Sequence, residues 1–568
     1  MNASKITIKG IFNTSRKLEI PFYQRAYVWK EEQWERFLSD MELVTATKKP
    51  YFIGSIILKA GQVNTWDEIT DRKIVVDGQQ RLTTLLLFFK ALCLKANIHD
   101  KFDRDFLLEN DEIALSTGIN DCDAFDIVMN HKEASPIDCK SNVTNIINAF
   151  NYFISNIDIN KLDRITIQKN LEFVCIDLDA GEDEQQVFDT INSLGVKLTT
   201  AELLKNYFYS KNDVSSFNSN WVPIFENDDE TKEYWNQEFE AGSVKKSLIN
   251  EFFDSYFKLF VNDVAYKVST EDKILYGRSD KLFNSYKDFI SNYCNGNMSV
   301  VLDELADTAR IFKETFDPGW TQKCVSNEYG IERINTIIFG LKNTTLIPYV
   351  LFIEKNVLDA NEKKSMYQLL ESYIMRRIIT KESTKNYNRL FQSFIANRIT
   401  SKSDLLKALN DNSGNTTSIP SDTDLEKGFK ETKLYNLQAR GVIYLIETSL
   451  RNPKDSTTLL GFDKYSLEHL MPKKWRNKWG TVANEEERDR ILLTLGNLAI
   501  ITQSLNASIR DGDWTTKLKG KNSNPGLISC SSGLKTMTDV VNKKIWDETG
   551  ISSRADWLIS KAKKLWKI

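Results

Sequence analysis

A carboxylate and an imidazole stand side by side in this chain, at Glu468 and His469. They belong to the sequence Ser-Leu-Glu-His-Leu-Met-Pro, which ends at Pro472, and the other two of the 3 histidines lie hundreds of residues upstream. An imidazole can take a proton from water near neutral pH, and a carboxylate is a hard ligand for an ion such as Mg²⁺. The pair therefore predicts hydrolytic chemistry, although a histidine before a proline can also do no more than cap a turn.

Two asparagines and a lysine follow the pair. Asn497 stands in Gly-Asn-Leu, Asn506 comes nine positions later, and Lys517 closes the stretch. An amide oxygen is a second hard ligand, so Asn506 can share a metal ion with Glu468. The ammonium group of Lys517 can face negative charge that develops during a reaction. Because 3 histidines are too few for a multi-histidine zinc centre, the set predicts phosphodiester hydrolysis with one ion of the magnesium or manganese type.

The region around this set is basic. From residue 426 to the last residue the chain has 25 Lys+Arg and 16 Asp+Glu, a balance of +9, whereas the remainder has 50 and 62, a balance of −12. Basic residues alternate with tryptophans immediately after the pair, and they are Lys473, Lys474, Arg476 and Lys478. This pattern suits a DNA backbone with stacked bases, and the alternative is a solvated charged loop.

A second polar cluster lies near the N-terminus. Gln24 and Arg25 stand in Pro-Phe-Tyr-Gln-Arg, and residues 77–81 read Asp-Gly-Gln-Gln-Arg after a β-branched run. The latter segment predicts a strand, a tight turn and a helix over residues 82–95. Free N–H groups at a helix start, together with the guanidinium of Arg81, form an anion site. The chain has no G-x-x-x-x-G-K-[ST], so a nucleotide bound here would not sit in a P-loop.

Length and composition describe a multidomain protein outside membranes. At 568 residues the chain is too long for one core, and no apolar run approaches the roughly 20 residues of a membrane span. None of the 7 cysteines forms a C-x-x-C pair, which favours reduced thiols in the cytoplasm. Residues 210–425 have helical apolar spacing, and the polar stretch 410–420 is the predicted linker. Within this region Arg376 and Arg377 can meet DNA, but such arginines more often pair with nearby acids.

The stretch around Glu468 resembles the HNH (His-Me finger) nucleases, in the variant found in GmrSD-type modification-dependent restriction enzymes. The family places the acid and the histidine at the end of one strand, the first asparagine in a second strand, and the last asparagine at the start of a helix. The resemblance implies that Glu468 and Asn506 hold one magnesium or manganese ion and that His469 is the general base. Asn497 would then organise the loop that carries His469. Many HNH enzymes have a histidine where Asn506 stands.

The N-terminal segments resemble the ParB-like domain that forms the other half of GmrSD-type enzymes. That domain binds and hydrolyses nucleoside triphosphates, and in some members it senses DNA modification. The resemblance implies a GTP or ATP site built from Gln24, Arg25, Asp77, Gly78, Gln79, Gln80 and Arg81. A further similar segment, residues 188–199, adds Asn192 and Lys197.

The sequence therefore predicts a predominantly helical α+β protein with three parts. They are a ParB-like α/β domain over 1–209, a helical middle over 210–425, and an HNH domain of the ββα-metal type over 426–568. The predicted function is a cytoplasmic anti-phage restriction endonuclease that cuts modified DNA under nucleotide control, without a membrane and compatible with a homo-oligomer. The alternatives are a nucleotide-dependent DNA-binding switch with a degenerate nuclease domain and an RNA-cutting abortive-infection toxin.

Overall fold

The structure is a computed structural model in which two compact units are distinguished, Met1–Ser219 and Asn220–Ile568. It describes residues 2–61, 71–138, 144–179, 199–209, 214–242, 244–411, 417–452, 454–455, 457–521, 524–531 and 533–568. The predicted fold class is confirmed, because helices predominate beside a small mixed sheet. The division into three domains stays a prediction.

The first unit is built around a six-stranded sheet. Its strands are β1 (Asn2–Thr7), β2 (Arg16–Glu19), β3 (Tyr51–Ala60), β4 (Asp71–Asp77), β5 (Leu115–Ser116) and β6 (Leu171–Leu178). They lie in the order β1-β6-β3-β4-β2-β5. The pairs β2–β4, β2–β5 and β3–β6 are parallel, whereas β1–β6 and β3–β4 are antiparallel.

Helices cover this sheet, and one of them forms the centre of the core. The helices are Ile8–Ile11, Glu31–Thr47, Gln79–Lys95, His99–Phe106, Cys122–Asn130, Asn145–Asn156, Arg164–Asn170, Thr200–Tyr209 and Val214–Asn220. In helix Gln79–Lys95 every residue from Leu82 to Leu94 is buried, as expected of a helix that is apolar on all sides. Phe88 of this helix packs edge-to-face against Phe37 and Phe153.

Gly78 makes the turn between β4 and this helix. Its φ is +100°, and a Cβ at this position would lie 2.6 Å from Cγ2 of Ile56. Only glycine avoids both the left-handed strain and the clash. The predicted order of strand, turn and helix is confirmed, and the helix begins at Gln79, three residues before the predicted start.

The second unit consists mainly of helices. Its α-helices are Asp229–Asn236, Leu248–Asn262, Thr270–Tyr276, Leu282–Tyr293, Ser299–Leu302, Leu305–Thr315, Ile331–Asn335, Ile347–Asn356, Ala360–Ile379, Tyr387–Ala396, Lys402–Asp411, Asp422–Glu431, Asn436–Ser449, Glu485–Ile491, Gln503–Ile509, Trp514–Lys519, Leu527–Ser531, Thr538–Val541 and Glu548–Leu565. Single turns of 3₁₀-helix lie at Val264–Tyr266, Ser279–Lys281, Pro318–Gln322, Thr344–Leu346, Phe462–Lys464, Trp475–Asn477, Leu495–Asn497 and Lys535–Met537, and π-helical turns lie at Val222–Glu226 and Thr336–Gly340.

Three short antiparallel ribbons interrupt these helices. They pair β7 (Glu238–Ala241) with β8 (Val244–Ser247), β9 (Tyr465–His469) with β10 (Leu498–Thr502), and β11 (Gly520–Lys521) with β12 (Asn524–Pro525). Glu468 and His469 are the last two residues of β9.

Buried arginines join distant parts of this unit. Arg333 is fully buried and forms a two-pronged ion pair with Glu371, whose carboxylate also accepts from the indole of Trp566. Arg376 donates to two carbonyl groups and pairs with Asp422. Arg377 is also buried and donates to two carbonyl groups, so neither of these neighbouring arginines presents its charge at the surface.

The predicted linker is only partly described. Residues 410 and 411 end helix Lys402–Asp411, Thr417 and Pro420 are buried, and residues 412–416 lie outside the described residues. The six cysteines within the described ranges are all free. Among these same ranges, no helix combines the length and the apolarity that crossing a bilayer requires.

The pair of Arg333 and Glu371 predicts a large loss of stability when it is broken. Arg333→Met should lower the free energy of unfolding by about 3–5 kcal/mol, because it leaves the Glu371 carboxylate buried without its cation. Urea denaturation followed by tryptophan fluorescence measures this change. The matched control is Arg310→Met, which removes an exposed pair with Glu314 and should change stability by about 0–1 kcal/mol. Equal effects of the two substitutions would contradict the prediction.

Candidate functional site

The ribbon β9–β10 places Glu468 and His469 at the end of a strand. In its register Glu468 lies opposite Ala499 and His469 opposite Leu498. Helix Gln503–Ile509 follows β10 directly, so two strands and one helix surround the pair. Two details differ from expectation. Asn497 ends a 3₁₀ turn just before β10, and Asn506 lies inside the helix instead of at its start.

Glu468 and Lys517 form a buried ion pair. The side chain of Lys517, from helix Trp514–Lys519, is 1% exposed, and its Nζ donates to Oε1 of Glu468 and, at 2.7 Å, to the carbonyl oxygen of His469. Burial raises the pKa of Glu468, the charge of Lys517 opposes the rise, and the exposed Asp511 adds to it. Burial likewise lowers the pKa of Lys517, against the effect of Glu468. The ammonium group therefore holds the carboxylate and the backbone of the next residue in one arrangement.

His469 is half-buried and neutral at physiological pH. Burial, followed by the charges of Lys473 and Lys517, lowers its pKa to about 4. A neutral imidazole has a free lone pair on one ring nitrogen, so His469 can accept a proton.

Asn497 fixes the chain that leaves His469. Its side chain is fully buried, and Oδ1 accepts from the N–H of Met471 at 2.9 Å and from Nε1 of Trp546 at 3.0 Å. Its Nδ2 donates to the carbonyl oxygens of Met471 and Leu492, at 2.8 and 3.0 Å. The amide thus clamps both backbone groups of Met471, two residues after the histidine.

Asn506 faces the same side of β9 as Glu468. Its Nδ2 donates to Oγ of Ser466 at 3.0 Å and to the carbonyl oxygen of Leu467 at 3.1 Å. Alternate residues of a strand share a face, so Ser466 and Glu468 point in the same direction. With Nδ2 committed to these two acceptors, no hydrogen bond to Oδ1 of Asn506 is found within the described part of the chain.

The donors available suit a hard divalent ion with few protein ligands. The described ranges contain no group of three or more His, Cys, Asp or Glu arranged to hold a metal. Glu468 offers Oε2, since Lys517 occupies Oε1, and Asn506 offers Oδ1. Mg²⁺ keeps several waters and takes one or two carboxylates together with substrate phosphates, so one carboxylate and one amide fit its chemistry.

The basic segment is only partly as predicted. Lys473, Lys474 and Lys478 are exposed. Arg476 is exposed but binds the carboxylates of Glu485 and Asp489. Trp475 is buried, with its indole N–H on Asp489, so the expectation that it stacks on bases is wrong for this residue. Its aromatic ring is needed inside the unit, packed against Arg476 and Arg488.

The N-terminal segments meet at the start of helix Gln79–Lys95. The buried Gln24 donates to the carbonyl oxygen of Val75 at 2.7 Å, and its Oε1 has no partner within the described residues. Gln80 accepts from the N–H of Val28 at 2.9 Å and donates to the carbonyl oxygen of Ala26 at 3.2 Å. The two motifs of the sequence therefore bind each other.

Arg81 completes this second site. It pairs with Asp77 at 3.0 Å, and its guanidinium lies against Gly54, where a Cβ would come 2.1 Å from Nη1. Arg25 lies 3.9 Å from the Glu202 carboxylate. Gly78 is the N-cap residue of this helix, and Gln79 is the first residue of the helix. Asn192 and Lys197 lie outside the described residues.

Sequence reasoning missed three residues of the first site. Trp546 binds Asn497 across 49 positions and has no local motif, so no sequence signal could have found it. Asp511 is linked to Glu468 only by its charge. Ser466 could have been found, because it stands two positions before Glu468 and therefore on the same strand face.

Two family models match the chain. One is described as "GmrSD restriction endonuclease, N-terminal domain" and matches residues 8–209. The other is described as "GmrSD restriction endonucleases, C-terminal domain" and matches residues 419–561. No curated protein matches the chain.

The clamp formed by Asn497 predicts a stability loss that does not depend on any activity. Asn497→Asp keeps the shape of the side chain but removes the donors to two carbonyl oxygens and buries a carboxylate. It should lower the free energy of unfolding by at least about 2 kcal/mol. Asn477→Asp, at an exposed position eight residues after His469, should change it by no more than about 0.5 kcal/mol. Similar urea midpoints for the two variants would argue against the clamp.

Proposed function

Because the chain belongs to the GmrSD restriction endonucleases and therefore acts as an anti-phage endonuclease on DNA, we propose that Glu468, His469 and Asn506 form the centre that cuts the DNA. The observation that supports this proposal best is the position of the three residues. Glu468 and Asn506 lie on one face of β9, and the neutral His469 ends the same strand.

Glu468 and Asn506 would hold one magnesium or manganese ion. The donors are the carboxylate oxygen that Lys517 leaves open and the amide oxygen of Asn506. When bound, the ion supplies positive charge for the phosphate oxygens. We assign Lys517 to positioning instead of direct contact with the phosphate, since its ammonium group is buried and bound to Glu468 and to the backbone of His469.

His469 would take the proton of the attacking water. Its lowered pKa keeps the imidazole in the neutral, proton-accepting form at physiological pH. Adjacent residues of a strand leave from opposite faces, so His469 and Glu468 project to different sides. A phosphodiester that meets both must therefore lie across the end of the ribbon. Asn497 fixes the backbone there, and the exposed Lys473, Lys474 and Lys478 would bind the neighbouring phosphates.

His469→Ala should lower the rate of DNA cleavage by at least about a hundredfold, because general-base catalysis is lost. The measurement is nicking of plasmid DNA, run beside an RNA substrate of equal length so that an RNA-cutting toxin would be recognised. His99→Ala is the matched control, since His99 is exposed in the other unit. Both variants should keep the wild-type unfolding profile.

The same assay tests the metal. Excess EDTA should stop cleavage, and magnesium or manganese should restore it. Cleavage that persists in excess chelator would contradict the proposed metal ion. Wild-type activity of His469→Ala would contradict the proposal that His469 is the general base.

We further propose that the first unit binds a nucleoside triphosphate, GTP or ATP, at the start of helix Gln79–Lys95. The free N–H groups of the first helical turn and Arg81 provide the donors for phosphate oxygens. The orphan acceptor of Gln24 is suited to an amino or hydroxyl group of a nucleotide. Nucleotide or modified phage DNA would then shift the protein from a resting to a cutting state, which protects the host genome. The cytoplasmic location and a homo-oligomer also remain proposals.

Arg81→Ala should weaken triphosphate binding about tenfold to a hundredfold, since charge-assisted hydrogen bonds of about 1.5–3 kcal/mol are lost. Calorimetric titration with GTP and with ATP measures the affinity, and phage plating measures protection, which should fall in parallel. Arg104→Ala, an exposed arginine of the same unit, is the control and should bind as the wild type does. No triphosphate binding by the wild type would leave this unit as a plain DNA-binding module.

A further inference from the structure

A cavity of about 440 Å³ opens in the second unit, apart from the residues of the cutting site. It is formed by the segment that precedes the last helix and by the first turns of that helix. Three of its lining residues are basic, Lys535, Lys543 and Arg554, and two are tryptophans, Trp546 and Trp557. Asp539 is the one acidic residue among the lining residues that the structure describes.

Arg554 is incompletely satisfied in this cavity. It is 6% exposed, and its Nη1 donates to the carbonyl oxygens of Leu495, Gly496 and Leu498. Its Nε and Nη2, by contrast, have no hydrogen-bond partner within the described residues, and the same is true of Oγ1 of the buried Thr536.

The charge of Arg554 is likewise left without an ion pair in the described part of the chain. Burial lowers its pKa to about 10, and Glu447, whose charge opposes this, is already bound to Arg451. A buried cation with two free donors is unfavourable unless an anion satisfies it.

The other residues that line the cavity indicate which class of anion it would bind. Lys543 is exposed, and Lys535 is already paired with Asp455 at 3.0 Å, so Arg554 and Lys543 are the two cations that the cavity offers to a group with several oxygens. Trp557 is partly exposed and adds a flat surface of the kind on which a base stacks, whereas Trp546 is buried. The volume lies at the lower end of the roughly 300–1,000 Å³ that small-molecule sites occupy. Cations for a phosphate group beside an indole ring for a base are what a nucleotide ligand requires.

We propose that this cavity binds a 5′-phosphorylated nucleotide, with Arg554 and Lys543 on the phosphate and Trp557 beside the base, and that its occupancy is coupled to the cutting site. The nucleotide can be free or part of a DNA strand. This site is separate from the one proposed on the first unit, because all its lining residues belong to the second.

Trp546, which lines the cavity, contacts both segments that position the candidate cutting site. Trp546 donates to Oδ1 of Asn497, the clamp of the chain after His469. Trp546 also stacks on Trp514, with ring centres 5.5 Å apart, and Trp514 begins the helix that carries Lys517. A ligand that orders Trp546 and Arg554 therefore orders the surroundings of Asn497 and of Glu468. This coupling rests on the proposed cutting site, whereas the binding does not.

Binding is tested first, by calorimetric titration of the full-length protein with deoxyadenosine 5′-monophosphate (dAMP), deoxyadenosine and inorganic phosphate. The monophosphate should bind at least about tenfold more tightly than either part alone. Lys543→Gln should weaken this binding about tenfold, and the adjacent exposed Lys544→Gln, which is outside the cavity, should leave it unchanged. Trp557→Ala should weaken binding of the nucleotide but not of phosphate.

Titration with a 5′-phosphorylated tetranucleotide distinguishes a nucleotide within a DNA strand from a free nucleotide. If it binds in a manner sensitive to Lys543→Gln while dAMP does not, the cavity takes a nucleotide of DNA, and the reverse result assigns it to a free nucleotide. Equal affinities of Lys543→Gln and Lys544→Gln for both ligands, or no binding of either by the wild type, would overturn the site.

Plasmid nicking with and without the bound ligand tests the coupling. The ligand should change the rate at least about threefold in the wild type and in Lys544→Gln, but not in Lys543→Gln. Binding that leaves the nicking rate unchanged would overturn the coupling while the site stands, and an inactive wild type with normal binding would count against the proposed cutting site alone.

Discussion

The buried amide of Asn497 is the constraint on which the candidate cutting site depends. A primary amide taken out of water must satisfy two donor hydrogens and an acceptor oxygen, and here every one of these has a protein partner. Two of the partners are the N–H and the carbonyl group of Met471. Because both backbone groups of one residue are fixed, the chain has little freedom in the direction it takes after His469. A carboxylate or an aliphatic side chain of the same size cannot make this set of bonds.

The ion pair of Glu468 and Lys517 depends on the same backbone. Two buried charges are stable only when their geometry is good and their remaining hydrogen-bonding capacity is used. Lys517 meets this requirement because it also donates to the carbonyl oxygen of His469, a group whose position follows from the strand register and from the clamp two residues later. Lys517 then engages Oε1 of the carboxylate, and the backbone N–H of His469 also stabilises its charged form. A neighbouring cation can in this way fix the orientation of the carboxylate that would bind the proposed ion.

Local signals predicted the parts of the molecule that are determined locally. The β-branched run before Asp77 and the glycine at position 78 carry the strand, the turn and the helix start, and the structure has all three. The strands β9 and β10 are also present, as the resemblance to the HNH nucleases implied. The contact of Asn497 with Trp546 and the contacts of Arg554 were not predicted, because these partners lie 49 to 59 positions away and no periodicity encodes such contacts. The expectation that Trp475 stacks on bases was wrong for a related reason. Alternation of basic residues with tryptophan does not show which of them face inward.

The net positive charge of the C-terminal region likewise does not show which of its basic residues face the solvent. Of its excess of basic residues, Arg554 is used on internal carbonyl groups, Lys517 on Glu468, and Arg476 on two carboxylates. What remains at the surface near the site is mainly lysine. Lysines act on phosphate as point charges, and phosphate contacts carry no information about base or modification. If these lysines bind DNA as proposed, they would hold it near His469 in a salt-dependent way without distinguishing phage DNA from host DNA. Discrimination would need directional polar groups, and Oε1 of Gln24 in the first unit is one such group without a partner among the described residues.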